Sequence, residues 1–327
     1  MILALPSANA ALIRAFVLPF ALLAAALVAG AIILRGLGIG IDQDSWRTML
    51  GLVIVSGGLV LIAGRIGNRA ATASALSIAL FLSMPAPLAV FSYACAALGA
   101  SLPLMDAVLA RIDAQLGFDW LPVVAWFNRS PAGIAVLGAA YHGTIAALVY
   151  GLVFLNLIGR RDRLVELAVM VIGTCLIANI LSGVVPAAGA YVHFQPDETV
   201  RGAISADAGI WHLVHFEALR SGSFSRFSLS ATEGLVTFPS FHTAAAMCVP
   251  LALRGYGPLT ALAWLAAAAI IVSTIPIGGH YLIDVVAGAA ITLALHALLR
   301  ARGIGRRAIE PGAVASPARD IATALRI

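Results

Sequence analysis

The chain has 327 residues, of which 61% are hydrophobic and 11% charged, against roughly 25% charged in an ordinary soluble domain. That composition excludes a soluble globular protein. Disorder, a collagen-like repeat and a small disulfide scaffold fail with it, because apolar residues dominate and only three cysteines occur. The formal charge of +5 comes from 20 arginines and no lysine. They sit between apolar runs rather than on a soluble face, which argues against a nucleic-acid partner. The class that remains is all-α, a polytopic membrane helix bundle.

A bilayer core about 30 Å thick requires about 20 apolar residues per helix. Eight segments qualify in chain order: 11–34, 48–64, 72–100, 132–158, 164–188, 239–253, 257–277 and 280–299. The first follows Arg14 and exceeds a signal-peptide core of roughly 7–15 residues, so it reads as a retained anchor. The sixth is short and opens at Pro239, a residue suited to a first helical turn. The expected organisation is N-terminal spans over 1–100, an interfacial segment over 101–131, a membrane domain over 132–299 and an Arg-rich tail over 300–327, flexible and solvated.

Within 103–127, Leu104, Met105, Val108, Leu109, Ile112 and Leu116 recur at helical spacing while Asp106 and Asp113 fall elsewhere. A helix lying in the interface and a helix packed on the bundle both fit. The long stretch 189–237, which holds His193, His212 and His215, is a lid, a binding element or disordered. Cys95, Cys175 and Cys248 lie in apolar runs, where no disulfide is expected. No internal repeat of the kind transporters carry is visible.

Arginine favours the cytoplasmic side of short loops. A cytoplasmic N-terminus puts 13 arginines inside and 7 outside, with both termini inside.

Ionisable groups at membrane depth cost about 2.5–3.5 kcal/mol each on insertion scales and are functional candidates by default. His242, in Phe238-Pro239-Ser240-Phe241-His242, opens the sixth span, and His280 with Asp284 opens the eighth. The topology brings all three to the outer face. A spacing of four puts His280 and Asp284 on one helix face, where the carboxylate fixes one imidazole nitrogen and leaves the other bare. His142 and His296 read instead as helix-tying hydrogen bonders. No His-Glu-x-x-His pattern supports a metal. A bare imidazole attacks phosphorus while a second protonates the leaving oxygen. Donors for the phosphoryl oxygens are then Ser240, Ser273, Thr274 and the outer arginines nearest in sequence, Arg220 and Arg226.

These motifs resemble those of the type 2 phosphatidic acid phosphatase superfamily, in the branch that includes inositol phosphorylceramide synthase. Pro239-Ser240-Phe241-His242 matches its Pro-Ser-x-His. His280-Tyr281-Leu282-Ile283-Asp284 with Ala287-Gly288 matches the later His and Asp, including a tyrosine typical of the synthase branch. The likeness spans roughly 135–299, Val185-Pro186 included, while the first hundred residues match only as spans. The resemblance implies a six-helix core with two extra N-terminal spans, and no metal or cofactor. It also implies His280 as nucleophile, Asp284 as its orienter, His242 as general acid and Ser240 as phosphate ligand. The chain departs from the phosphatase branch in its cations. The Lys motif is missing, and Thr274 follows Ser273 where an Arg is usual. Arg220 and Arg226 are the expected substitutes.

The expectation is therefore an integral lipid phosphatase or phosphotransferase of a bacterial inner membrane, with its site on the periplasmic face. Its substrate would be a membrane lipid phosphate, and its acceptor water, a lipid hydroxyl or a polyol. The competing reading is a transporter or non-catalytic scaffold that uses the same residues as a proton relay or helix tie.

Overall fold

The computed structural model describes residues 7–305, so the expected tail from residue 306 onward lies outside the described residues. The N-terminal helices are α1 (Ser7–Gly36), α2 (Gln43–Ile66), α3 (Arg69–Ser83) and α4 (Pro85–Leu98). Helices α3 and α4 form one span, interrupted at Met84 before the N–H-less Pro85. Two short helices follow, α5 (Asp106–Gln115) and α6 (Trp120–Asn128). Then come α7 (Pro131–His142), α8 (Thr144–Leu157) and α9 (Arg161–Val184). The stretch expected to be a lid, a binding element or disorder carries α10 (Ala190–Phe194), α11 (Glu198–Arg201) and α12 (Leu213–Ser221). The chain closes with α13 (Phe241–Ala252), α14 (Pro258–Ser273) and α15 (Leu282–Ala301). The described strands are β1 (Gly40–Ile41) and β2 (Arg226–Phe227), paired in parallel, so the fold is an all-α bundle.

The eight expected spans are all present as helices, but not at equal height. Five are long and apolar enough to cross a membrane, and α7 with α8 makes a sixth, bent by 51° at Gly143. Helices α13 and α14 have only 12 and 16 residues, about 18 and 24 Å, against 24 residues and about 36 Å for α9. Pro239 precedes the N-cap Ser240 instead of occupying the first turn, which shortens α13 further than expected.

The short helices are pinned at one end of the bundle. The buried Glu166 of α9 accepts from Arg254, in the α13–α14 turn, at 2.8 Å and lies 3.3 Å from His296 of α15. Arg160 bridges Asp162 at 2.7 Å and the Tyr256 hydroxyl at 3.0 Å. Breaking such a buried pair typically costs about 3–5 kcal/mol. His242 and His280 lie at the opposite end of α13 and α15, the histidine end, where they border a cavity. Segments between the spans roof that cavity.

Elsewhere the bundle is closed by small residues. A methyl group at Gly183 of α9 would stand 2.7 Å from the Cys95 carbonyl oxygen of α4, so the two backbones meet almost directly. The far side of α2 presents Leu50, Val53, Ile54, Leu61 and Ile62 outward, each at least 60% exposed, as a lipid-facing surface does. Overpacking typically costs about 1–3 kcal/mol. Gly183→Ala is therefore expected to lower the melting temperature in detergent by several degrees. Gly58→Ala, where nothing lies within 4 Å, should leave it unchanged.

Candidate active site

His242 sits in the first turn of α13, whose N-terminus is capped by Ser240: the hydroxyl accepts from the Thr243 N–H at 3.3 Å. His280 sits two residues before α15. Asp284, at the third position of that helix, turns its Oδ2 back to the Tyr281 N–H at 3.0 Å and lies 3.1 Å from His280 Nδ1. A carboxylate capping a helix start satisfies one of its otherwise unpaired N–H groups. Here the same oxygen holds the imidazole. Asp284 is fully buried and His280 is 3% exposed. The two motifs are also joined directly, because the Ser240 N–H donates to the Asp284 carbonyl at 3.0 Å. Gly288, one turn further along α15, makes that approach possible, since a Cβ there would collide with the Ser240 carbonyl.

Behind this pair stands a pedestal that the sequence left between two readings. Of those readings for 103–127, packing on the bundle is the one realised, for Asp106 and Asp113 are 6% and 2% exposed. The two oxygens of Asp113 accept from the Leu282 and Ile283 N–H groups at 2.7 and 2.8 Å, capping α15 from outside. Asp106 accepts from the Ala188 and Gly189 N–H groups and from the Tyr281 hydroxyl at 2.8–3.0 Å. Trp120 Nε1 donates to the His280 carbonyl at 3.1 Å, and the Tyr191 hydroxyl to the Pro276 carbonyl at 2.6 Å. The loop that carries His280 is thus held from α5, α6 and α10.

In front of the pair lies a cavity of about 660 Å³. His142, His212, His242 and His280 all border its histidine end, with Tyr141 and Trp211. The His242 ring stacks on Tyr141 with centroids 4.1 Å apart. His142, expected to tie helices together, instead lines the cavity at the α7–α8 break, edge-on to Trp211. His212 Nε2 donates to the Ala188 carbonyl at 3.1 Å. The Gly after His142 was the available signal for a break there; nothing in the spacing of His212 pointed to the cavity.

Burial pushes both His280 and His212 down to about 4. Both rings are therefore neutral near pH 7. An unfolded chain binds these protons near 6.5, so stability is full above that pH and falls as the pH drops toward 4.

The expected phosphate donors are not at the cavity. Ser240 is spent on the α13 cap and on Thr243 Oγ1 at 3.2 Å. The Ser273 and Thr274 hydroxyls donate to the Ile270 and Ile271 carbonyls of their own helix, and both residues are fully buried. Arg220 donates to the Leu102 carbonyl at 2.9 Å and lies over the Phe216 ring, while Arg226 belongs to β2. Among the described residues no arginine borders the cavity, and no group of three His, Cys, Asp or Glu is arranged to hold a metal.

Tall apolar helices around a histidine-lined recess define an integral membrane protein with a polar site reachable from within its bundle. The model of a family described as the PAP2 superfamily matches residues 107–298, more than half of the chain, and the protein belongs to that superfamily. Membership points to a phosphatase or phosphotransferase of lipid phosphates. No curated protein and no solved structure matches the chain. The matched residues begin inside α5, one position after Asp106, and take in Asp113, Trp120 and Tyr191 of the pedestal, whereas α1 to α4 lie outside the match.

The pedestal yields a test. Asp113→Asn leaves one of two N–H groups at the α15 start without an acceptor, a cost of about 1–3 kcal/mol. It should reduce kcat on a lipid phosphate by about tenfold with little change in KM. Equal losses in protein yield and melting temperature with kcat intact would assign Asp113 to folding alone.

Proposed function

We propose that the protein is a metal-independent lipid phosphatase or phosphotransferase that works through a phosphohistidine. The observation that carries the reading is the buried His280–Asp284 pair facing His242 across one cavity. With Nδ1 turned to Asp284, the Nε2 lone pair of His280 attacks the phosphorus, and the bond from phosphorus to the lipid oxygen breaks. His242 gives its proton to that leaving oxygen. Water or an alcohol then attacks the phosphohistidine, returning a proton to His242 as the phosphorus–nitrogen bond breaks. Neither ring nitrogen of His242 is bonded to protein among the described residues, which leaves both for this exchange.

The cavity border suggests that imidazoles, the Tyr141 hydroxyl and the Trp211 indole take the place of the expected Ser240, Ser273, Thr274, Arg220 and Arg226 around the phosphate. The tyrosine after His280 supports the inositol phosphorylceramide synthase-like branch, in which the acceptor is a lipid hydroxyl or a polyol rather than water. The arginine count supports a bacterial inner-membrane protein with both termini cytoplasmic and the histidine end periplasmic.

His280→Ala and Asp284→Asn should each reduce phosphate release by about a thousandfold or more, and His280→Ala should abolish acid-labile phosphoenzyme. His242→Ala should lose about 10²–10⁴ on a lipid phosphate but far less on an aryl phosphate, whose leaving group needs no proton. The acid limb of kcat/KM should fall nearer pH 4 than 6.5. Retained turnover in both His280→Ala and Asp284→Asn would remove the assignment.

Orientation is checked separately. A membrane-impermeant thiol reagent applied from the periplasm should label a cysteine placed at Ser221 and spare one at Gly255; the opposite pattern would invert the topology.

A further inference from the structure

The cavity does not end at the histidines. It is bordered from His142 at the end of α7 down α8 to Leu152, and along α9 from Asn179 down to Ala168, about 15 Å toward the arginine end. Its other wall is the interrupted span α3–α4, through Phe81, Met84, Leu88 and Ala89. The lining below the histidines is predominantly apolar, with Leu148, Leu152 and Val171 facing that wall. Near the arginine end the gap is closed, because Asn156 of α8 donates to Ser74 of α3 at 3.0 Å. Nearer the histidines, Pro85 and Ile145 border the cavity and are both exposed on the bundle surface, which gives a side entrance between α4 and α8.

We infer that this deep arm is a hydrocarbon-chain site, which takes one chain of the lipid phosphate into the protein and measures its length against a floor near Leu152. The inference rests on the phosphotransfer reading only for what sits at the head of the chain. An apolar shaft within the bilayer core, open sideways and continuous with a polar site, fits a ligand that is polar at one end and a single alkyl chain beyond. The wall formed by α3 and α4 lies outside the family-matched residues, so these helices add chain selection to a catalytic region that ends elsewhere.

The test uses monoalkyl phosphates of increasing chain length for turnover, and the matching alkylphosphonates for binding by calorimetry, with the full chain in nanodiscs. In the wild type, affinity and kcat/KM should rise with chain length and then level off. Leu152→Trp raises the floor and should lower the long-to-short ratio of kcat/KM by about tenfold, while Leu152→Ala should raise it. Ala89→Phe should lower the same ratio from the opposite wall. Chain-length-indifferent binding, or a ratio unchanged in all three variants, would overturn the chain site. Binding that tracks chain length without any phosphate release would keep the site and overturn the phosphotransfer reading instead.

Discussion

The fully buried carboxylate of Asp284 is the constraint around which the site is built. A buried carboxyl group is costly unless hydrogen bonds meet it, and Oδ2 of Asp284 is met by the His280 imidazole and the Tyr281 N–H. Its own carbonyl receives the Ser240 N–H, so the start of α15 and the start of α13 are one unit. Two histidines 38 positions apart in the chain thereby face one cavity. Asp113 and Asp106 extend the same device outward, capping the helix start and holding the loop from a second layer. Asp284, Asp113 and Asp106 are each committed to backbone N–H groups at this end.

The arginine end is tied together by Glu166, Arg254, Arg160 and Tyr256, and α13 and α14 are both shorter than the apolar α15. The histidine-lined cavity lies at the opposite end of the bundle. The apolar arm walled by α3, α4, α8 and α9 continues the same cavity away from the histidines. The N-terminal helices thus form part of the cavity wall as well as the outer surface of the bundle.

The bundle class, the positions of the eight apolar helices and the residues His242, His280 and Asp284 were legible in the amino-acid order. Each is a local signal: apolar run length against bilayer thickness, and a His–Asp spacing of four that a helix start converts into contact. The polar surroundings of the phosphate were not legible. Ser240, Ser273 and Thr274 are near the histidines in sequence, but each hydroxyl is consumed by its own helix backbone, a local competition that composition does not reveal. Arg220 and Arg226 are close in sequence and far in function, because a 49-residue connection can fold either toward the cavity or away from it.

Sequence alone therefore determined the solvent of the protein, its helices and the contact between His280 and Asp284, since bilayer thickness and helical periodicity act on neighbouring residues. Tertiary structure decided which of two faces Asp106 and Asp113 take, that His142 and His212 join the cavity, and that α3 and α4 wall it. Those outcomes depend on which helix stands beside which, and on where a short helix stops relative to a tall one. Both are set by packing between segments distant in the chain, at Gly183 against Cys95 and at Gly288 against Ser240.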